Sequence, residues 1–464
     1  MNDLILNIQN EKKPVTIFLL ILALSFFLFF VSIQIGDAVY FPIIAIALVI
    51  SYFIAKNPKI WLYSIFLTSP IYLVSNDADF DISDILSASL WIGGLFIWIF
   101  FHVFIHRKKL VDDIADWLFL FFYLCLILNF VVAVLNDNNL ETWIRTVGRF
   151  TLPLLYFPIK EHFRTKKEFK NLLIVLLISF LGLSLYMLFI SAVMVQDVRN
   201  AWELGALLRL NQGLIGVSIL TIMSVVLYVN GKEKLILSVA VIPFILVFMV
   251  SLSRIFWIGM IVGIFYSVFF LPQKQRKVIF ISFGVIFVTS MLAVLIFLGD
   301  KAEIILSLYL KRFTSIGNFM EDQSFLVRFD EYGYAIRDIL RNPWAGNGFA
   351  HEFSYYNRLV SRNWVTTNVH NGYILMTLRF GIPLAIIYYS VIFYKYIKTI
   401  NYLNIAKYSL EKMVLIGLSG GYLLMFIANF LTGSFMTRDG DILLALMFAL
   451  TTITTRLIKE DVSE

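Results

Sequence analysis

The chain has 464 residues, is 60% hydrophobic and 15% charged, and carries a formal net charge of +7. With a mean hydropathy of +0.83, it has more apolar surface than a soluble domain can bury, and its apolar runs are too long and continuous for the alternating strands of a membrane barrel. The sequence therefore predicts a polytopic helical membrane protein, and we attribute the positive charge to membrane anchoring, with no nucleic acid as partner.

The predicted elements begin with an apolar run directly after Lys12 and Lys13. It exceeds the apolar core of a signal peptide and lacks a small-residue cleavage site after it, so we predict a retained first span. The single cysteine, Cys125, lies in a later run, which rules out an internal disulfide. Fourteen apolar windows in all predict membrane spans, near residues 15–34, 39–55, 60–74, 85–105, 116–135, 143–159, 171–195, 213–229, 235–250, 255–271, 278–298, 370–393, 413–431 and 441–455.

These windows predict an all-α integral membrane protein with about 14 transmembrane helices. Residues 1–299 form spans one to eleven, and residues 300–369 form one large extracytoplasmic loop. Residues 370–464 form the last three spans and a cytoplasmic tail. Neither an internal repeat nor a low-complexity linker is evident.

The orientation follows from the distribution of basic residues, because cytoplasmic connections carry an excess of Lys and Arg. With the N-terminus in the cytoplasm, the cytoplasmic segments contain 23 of the 38 Lys and Arg residues, and the short connections on the other side contain four. This bias places both termini in the cytoplasm.

Lysine and arginine are also divided between the two sides. The cytoplasmic segments hold 19 lysines and four arginines, whereas the external connections and the spans hold two lysines and 13 arginines. Membrane anchoring accepts either residue, but a site that binds phosphate favours the planar guanidinium group, which forms paired hydrogen bonds. The division favours an external anionic ligand. The alternative is that the external arginines only pair with acids.

Several arginines lie at the predicted outer boundary of the membrane. Arg145 and Arg149 are four residues apart and share one helix face at the external end of span six. Arg254 opens span ten, and Arg209 precedes span eight. This depth suits the diphosphate of a lipid carrier whose tail stays in the bilayer.

His370 lies at the same depth, at the start of span twelve, in the stretch "VHNGYILMTLRFGIP". A helix N-terminus disfavours the imidazolium ion and keeps the ring neutral, as a general base requires. Tyr373 and Thr377 follow on its face as possible orienting or substrate contacts. A capping or interfacial histidine is the alternative. No second His or Cys lies at metal-ligand spacing, so no metal site is predicted.

The stretch "RFDEYGYAIRDILRNPWAGNGFAHEF" (328–353), followed by "VHNGYILMTLRFGIP" (369–383), resembles the signature of bacterial O-antigen ligases and polymerases. "SLSRIFWIG" resembles the Ser-Arg that opens a span in this family, and "RLNQGLIG" resembles its Asn-containing segment. The motifs cover about the second half of the chain. The matching positions are Arg328, Asn342, Pro343, Gly346, Gly348, His370, Asn371 and Gly381.

The resemblance implies a metal-independent, inverting glycosyltransferase of the bacterial cytoplasmic (inner) membrane that needs no cofactor. The donor would be an undecaprenyl-diphosphate-linked oligosaccharide, and the acceptor a hydroxyl group on a glycan or lipid core. His370 would be the base, and Arg254, with Arg209 and Arg328, would bind the diphosphate. Arg328 has the alternative of pairing with a neighbouring acid. Gly346 and Gly348 would bring backbone close to the substrate or form a plain turn.

Two questions of function stay open at this point. A flippase for lipid-linked oligosaccharides would have a similar number of spans, but a transporter predicts repeated halves and polar sites at the membrane midplane. Within the enzyme class, the ligase pattern has Gly, Thr or Tyr at the position of Leu384 in this chain. It has Leu at the position of Ile258. Both departures favour a polymerase over a ligase.

Overall fold

The computed structural model describes residues 54, 56–74, 89–197, 211–251, 253–297, 310, 323–358 and 361–463. The predicted first span, most of the second, Arg209 and nearly all of residues 300–322 lie outside these residues. The chain forms two compact units, residues 1–65 with 76–110 and residues 66–75 with 111–464. Helix α1, Pro58–Val74, contributes to both.

The first unit contains a helix that begins and ends with π-helical turns. The π turn Ser89–Gly93 leads into α2, Gly94–Phe100, which continues into the π turn Phe101–Ile105. The Trp61 indole N–H donates to the Leu90 carbonyl at 2.8 Å. The predicted span 85–105 thus contains continuous helix from Ser89 onward.

The second unit holds the other described helices. Those before residue 323 are α3 Ile114–Leu124, α4 Leu126–Leu135, α5 Leu140–Phe150, a 3-10 turn Leu152–Leu155, α6 Tyr156–His162, α7 Lys166–Asp197, α8 Gln212–Val226, α9 Gly231–Val250, α10 Arg254–Phe269 and α11 Gln273–Phe297. After them come α12 Gln323–Arg341, strands β1 Phe353–Asn357 and β2 Arg362–Thr366, α13 Gly372–Ile405, α14 Leu410–Asn429, a 3-10 turn Ser434–Met436 and α15 Arg438–Ser463.

Six helical segments of the described chain are long and apolar enough to cross a membrane, and three shorter apolar helices accompany them. The protein is therefore a multi-pass membrane protein, while the count of fourteen spans stays a prediction. The predicted span 143–159 is divided among α5, the 3-10 turn and α6. Pro153 and Pro158 explain the division, because proline supplies no backbone N–H to a helix interior.

Helix α15 forms the centre of the second unit. Of its most apolar stretch, 94% is buried, compared with 72% for α14 and 33% for α7. Small residues let α14 approach its neighbours, since a Cβ added at Gly417 would lie 2.4 Å from Thr221 Cα of α8. Such close packing is typical of membrane helix interfaces, where small residues allow backbones to approach.

Residues 323–358 and 361–369 form a folded layer on the beginning of α13. Strands β1 and β2 make an antiparallel hairpin in which Tyr355 pairs with Trp364. One apolar cluster joins α12, the hairpin and α13, and it contains Val327, Tyr332, Ala335, Ile339, Phe353, Tyr355, Val369, Leu375 and Leu378. The loop predicted from sequence therefore has its own core in this part, and that core fixes it to the helix that follows His370.

Candidate active site

Asn371, and not His370, caps α13. Its side-chain oxygen accepts from the N–H groups of Tyr373 at 3.0 Å and Ile374 at 3.1 Å. These are two of the N–H groups that a helix N-terminus leaves without an intrahelical partner. The capping alternative for His370 is therefore unnecessary, and its imidazole is available for another contact.

The imidazole of His370 contacts a buried carboxylate. Its Nδ1 lies 2.9 Å from Oε2 of Glu331 in α12, and the His370 backbone N–H donates to the same oxygen at 3.3 Å. The Glu331 side chain is 1% exposed, whereas that of His370 is 50% exposed. In the tautomer with the proton on Nδ1, the ring donates to this carboxylate and Nε2 carries the lone pair. The sequence argument from the helix N-terminus did not include this carboxylate.

Tyr332 fixes the backbone at the same point. Its hydroxyl donates to the carbonyl oxygens of His370 at 2.9 Å and Phe430 at 3.3 Å. Burial raises the pKa of Tyr332 to about 12, and Glu331 adds to this, although Arg328 opposes it. The hydroxyl therefore stays protonated at neutral pH and acts as a donor, which ties α12, α13 and the end of α14 together.

Arg328 lies on the same face of α12 as Glu331 and Tyr332, because residues three and four apart are neighbours on a helix. Asp330 pairs with Arg358 at 2.6 Å, and Glu331 contacts His370. Arg328 is half-buried on the helix face that also carries Glu331, the partner of His370.

The motif glycine Gly381 breaks α13. Its φ of 76° is unsuited to other residues, and a Cβ there would lie 2.4 Å from the Trp344 carbonyl oxygen. The break and Pro383 leave the carbonyls of Leu378 and Arg379 without their helical donors.

The loop supplies the missing donors. The N–H of Asn347 donates to Leu378 at 2.8 Å, and the N–H of Gly348 to Arg379 at 3.1 Å. The Asn129 amide also donates to the Arg379 carbonyl, at 2.8 Å. A Cβ at Gly346 would lie 2.5 Å from the Gly381 N atom. The G-x-G stretch thus lets the loop backbone pack into the helix break, and a role for it toward substrate stays a prediction.

The helix register brings Arg254 to the level of His370. Helices α10 and α14 are antiparallel, and a Cβ at Gly259 would lie 3.1 Å from the Leu424 carbonyl oxygen. Arg254 precedes Gly259 by five residues in α10. Asn429 follows Leu424 by five residues in α14, and its side chain contacts Gly372. Arg254, half-buried at the start of α10, therefore lies at the same end of the bundle as His370.

Arg145 and Arg149 both interact with acids, Arg145 by an ion pair and Arg149 at longer range. Arg145 Nη2 lies 2.7 Å from Glu141. Arg149 interacts electrostatically with the buried carboxylate of Asp441, as does Arg379. The Nη2 of Arg379 donates to the Thr367 carbonyl at 3.2 Å, so this charged group lies close to the segment that leads to His370.

Tyr373 packs inside the bundle. Its hydroxyl donates to the Phe426 carbonyl at 3.1 Å, and its ring lies 4.7 Å from that of Tyr389 and 4.8 Å from that of Phe430. It joins α13 to α14, which is a structural role.

The sequence motifs do not include Glu331 as a site residue, although a signal for it exists. Val327, Ala335 and Ile339 are buried at intervals of four or eight along α12, and Glu331 occupies the position between the first two. An acid on the apolar stripe of an amphipathic helix needs a partner, since burying an unpaired charge is costly. This pattern marks Glu331 as a residue with a specific contact.

Residues 239–389 match the family model described as O-Antigen ligase. This segment contains Arg254, α12, the G-x-G stretch, His370 and Gly381. A comparison with curated proteins gives no match. The family match confirms the resemblance to O-antigen ligases and polymerases and ties the chain to the synthesis of cell-surface polysaccharide.

Proposed function

We propose that the protein transfers a glycan from an undecaprenyl-diphosphate carrier to an acceptor hydroxyl group, as a polymerase of polysaccharide repeat units. The observation that carries the proposal is the contact of half-exposed His370 with buried Glu331, inside the segment that matches the O-antigen ligase model. The bias of basic residues supports an orientation with both termini in the cytoplasm and with residues 300–369 and His370 on the other side.

In the proposed reaction, His370 Nε2 takes the proton of the acceptor hydroxyl while its oxygen attacks the anomeric carbon of the donor sugar. The bond between that carbon and the diphosphate oxygen breaks, and the electron pair leaves with the diphosphate. A single displacement of this kind inverts the anomeric configuration. Glu331 holds the ring in the required tautomer and balances the charge of the imidazolium that forms.

The departing diphosphate carries negative charge that fixed cations stabilise. Arg254 and Arg328 are our first candidates for this role, because both lie half-buried at the His370 end of the bundle. We propose Arg209, Arg145 and Arg149 as further contacts. At Arg145 the diphosphate would compete with Glu141 for the guanidinium group, and at Arg149 it would compete with Asp441.

The arginine proposal makes a prediction about geometry. Arg254→Lys keeps the positive charge but loses the paired hydrogen bonds to phosphate. We expect a large loss of glycan transfer, with KM for the lipid-linked donor raised. Arg341→Lys is the matched control, because Arg341 is 77% exposed and pairs with Asp338. Equal transfer by Arg254→Lys and the control would remove Arg254 from the site.

The role of Glu331 is tested by Glu331→Gln, which keeps the shape and removes the charge. We expect turnover to fall by at least about 10-fold, with KM for the lipid-linked donor and the melting temperature unchanged. Asp330→Asn makes the same chemical change one residue earlier, at an acid paired with Arg358, and should transfer normally. Normal turnover by Glu331→Gln, or equal losses by both variants, would contradict a positioning role.

A ligase is the second candidate, because the matching family model is described as O-Antigen ligase. Leu384 and Ile258 are the departures that favour a polymerase. The glycan ladder of cells that lack the native gene, complemented with the wild-type chain or its variants, separates the two functions. Loss of a polymerase leaves single repeat units on the acceptor, whereas loss of a ligase leaves the acceptor bare and the carrier loaded. An unchanged ladder in the uncomplemented cells would contradict both.

A further inference from the structure

An apolar cavity of about 520 Å³ lies among α7, α8, α9, α14 and α15 in the second unit. Aliphatic and aromatic side chains make up nearly all of its lining. Among them are Leu173, Phe180, Val217, Leu237, Leu418 and Leu446. The cavity is partly open at the surface of the helices, where lining side chains such as Ile178 and Ile236 are exposed, and contact of such apolar surface with water is unfavourable. Hydrocarbon is the chemistry that fits it.

The cavity has the length of one membrane leaflet. Its lining extends along α7 from Lys170 to Phe180 and along α9 from Glu233 to Phe244, which corresponds to about 15–17 Å at 1.5 Å per residue. The hydrocarbon core of a bilayer is about 30 Å thick. A chain in this cavity would therefore occupy about half of the bilayer.

One end of the cavity is charged. Lys170 Nζ donates to Glu233 Oε1 at 3.0 Å, and both side chains are more than half exposed. The segments 166–170 and 231–234, which contain these two residues, hold five lysines and two glutamates. An excess of lysine at a membrane boundary attracts the phosphate of anionic lipids.

This end is far from the candidate active site. Leu410, the first residue of α14, lines the cavity, whereas Asn429 at the other end of α14 contacts Gly372. Leu410 and Asn429 are nineteen residues apart in the helix, which corresponds to about 28 Å along its axis. A donor whose diphosphate lies at His370 cannot place the same group at the lysine-rich end. A lipid of the opposite leaflet can.

We infer that this cavity binds one acyl chain of an anionic phospholipid from the leaflet at the lysine-rich end, with the phosphate beside Lys170. The site is separate from the transfer reaction and does not depend on it. The occupied cavity would fill the space between α7 and the central helices α14 and α15.

The experiment is native mass spectrometry of the full-length protein purified in mild detergent, with extraction and identification of the retained lipid. Delipidated protein is then titrated with phosphatidylglycerol and with phosphatidylcholine. We expect about one retained phospholipid per chain, and tighter binding of phosphatidylglycerol than of phosphatidylcholine. A retained polyisoprenyl lipid, or no retained lipid and no binding in the titration, would overturn the inference.

Two variants and one control make the assignment specific. Ser218→Trp fills the cavity and should reduce phosphatidylglycerol binding by at least 10-fold. Lys170→Ala leaves the cavity intact and should abolish the preference for phosphatidylglycerol over phosphatidylcholine. Thr289→Trp introduces the same bulk on α11, outside the lining, and should bind as the wild type does. Unchanged binding and lipid preference in Lys170→Ala would refute the headgroup assignment even where Ser218→Trp fails to fold.

Discussion

His370→Ala should reduce glycan transfer by roughly 10²- to 10⁴-fold, the usual contribution of a general base. The protein should still insert into the membrane and bind the lipid-linked donor. Its fold should persist because Asn371, not His370, caps α13, and because the His370 side chain is half exposed. Donor consumption by membranes that contain equal amounts of wild type and variant measures the effect.

Two further variants separate chemistry from structure. His370→Gln can keep a hydrogen bond to Glu331 but cannot act as a base near neutral pH, so it should be as inactive as His370→Ala. His351→Ala is the matched control, because His351 also contacts a carboxylate, Asp338 Oδ2 at 3.1 Å, in the same loop. It should transfer normally. Full activity of His370→Gln would show that another group is the base.

The largest expected effect on stability is at Asp116, which is fully buried in α3. Its carboxylate accepts from Lys160, from Lys395 at 3.0 Å and from the Tyr156 hydroxyl at 2.6 Å. Lys395 is fully buried and Lys160 is 4% exposed. This group joins α3, α6 and α13. Removal of Asp116 leaves Lys160 only its pair with Asp112 at 2.7 Å, and leaves Lys395 only its longer pair with Asp113 at 3.5 Å.

Asp116→Ala should lower the free energy of unfolding by about 3–5 kcal/mol. Asp461→Ala removes an acid from an exposed pair with Lys166 and should cost less than about 1 kcal/mol. Denaturant unfolding in detergent compares the two variants with the wild type. The double variant Asp116→Ala, Lys395→Met should be more stable than Asp116→Ala alone, because it no longer buries a lysine that has lost its nearest acid and keeps only Asp113 at 3.5 Å. Equal stability of Asp116→Ala and wild type would refute the role of this group.

The sequence supported the membrane class and the position of His370 because both depend on local patterns. A long apolar run can be recognised without knowledge of the residues that pack against it. A polar residue that directly precedes such a run is expected at the membrane boundary, whatever the arrangement of the other helices. The α12 helix and the hairpin were predicted only as part of a long loop, because their core forms with α13 and not within each segment alone.

Contacts between distant segments could not be predicted in the same way. Glu331 and His370 are 39 residues apart, and Asp116 and Lys395 are 279 residues apart. A single sequence contains no signal for such pairs beyond the apolar stripe around Glu331. The break at Gly381 is similar, since the glycine was visible in the motif but its docking with Trp344 and Gly346 depends on the fold.

The most direct test of the proposed chemistry uses the purified wild-type protein in vesicles with a defined undecaprenyl-diphosphate-linked repeat unit, in the presence of a metal chelator. The quantities measured are released undecaprenyl diphosphate and the anomeric configuration of the new glycosidic bond. We predict stoichiometric release of undecaprenyl diphosphate, oligomers of the repeat unit with inverted configuration, and neither product with His370→Ala. Retained configuration, loss of activity in the chelator, or equal release by His370→Ala would contradict a metal-independent, inverting transfer with His370 as the base.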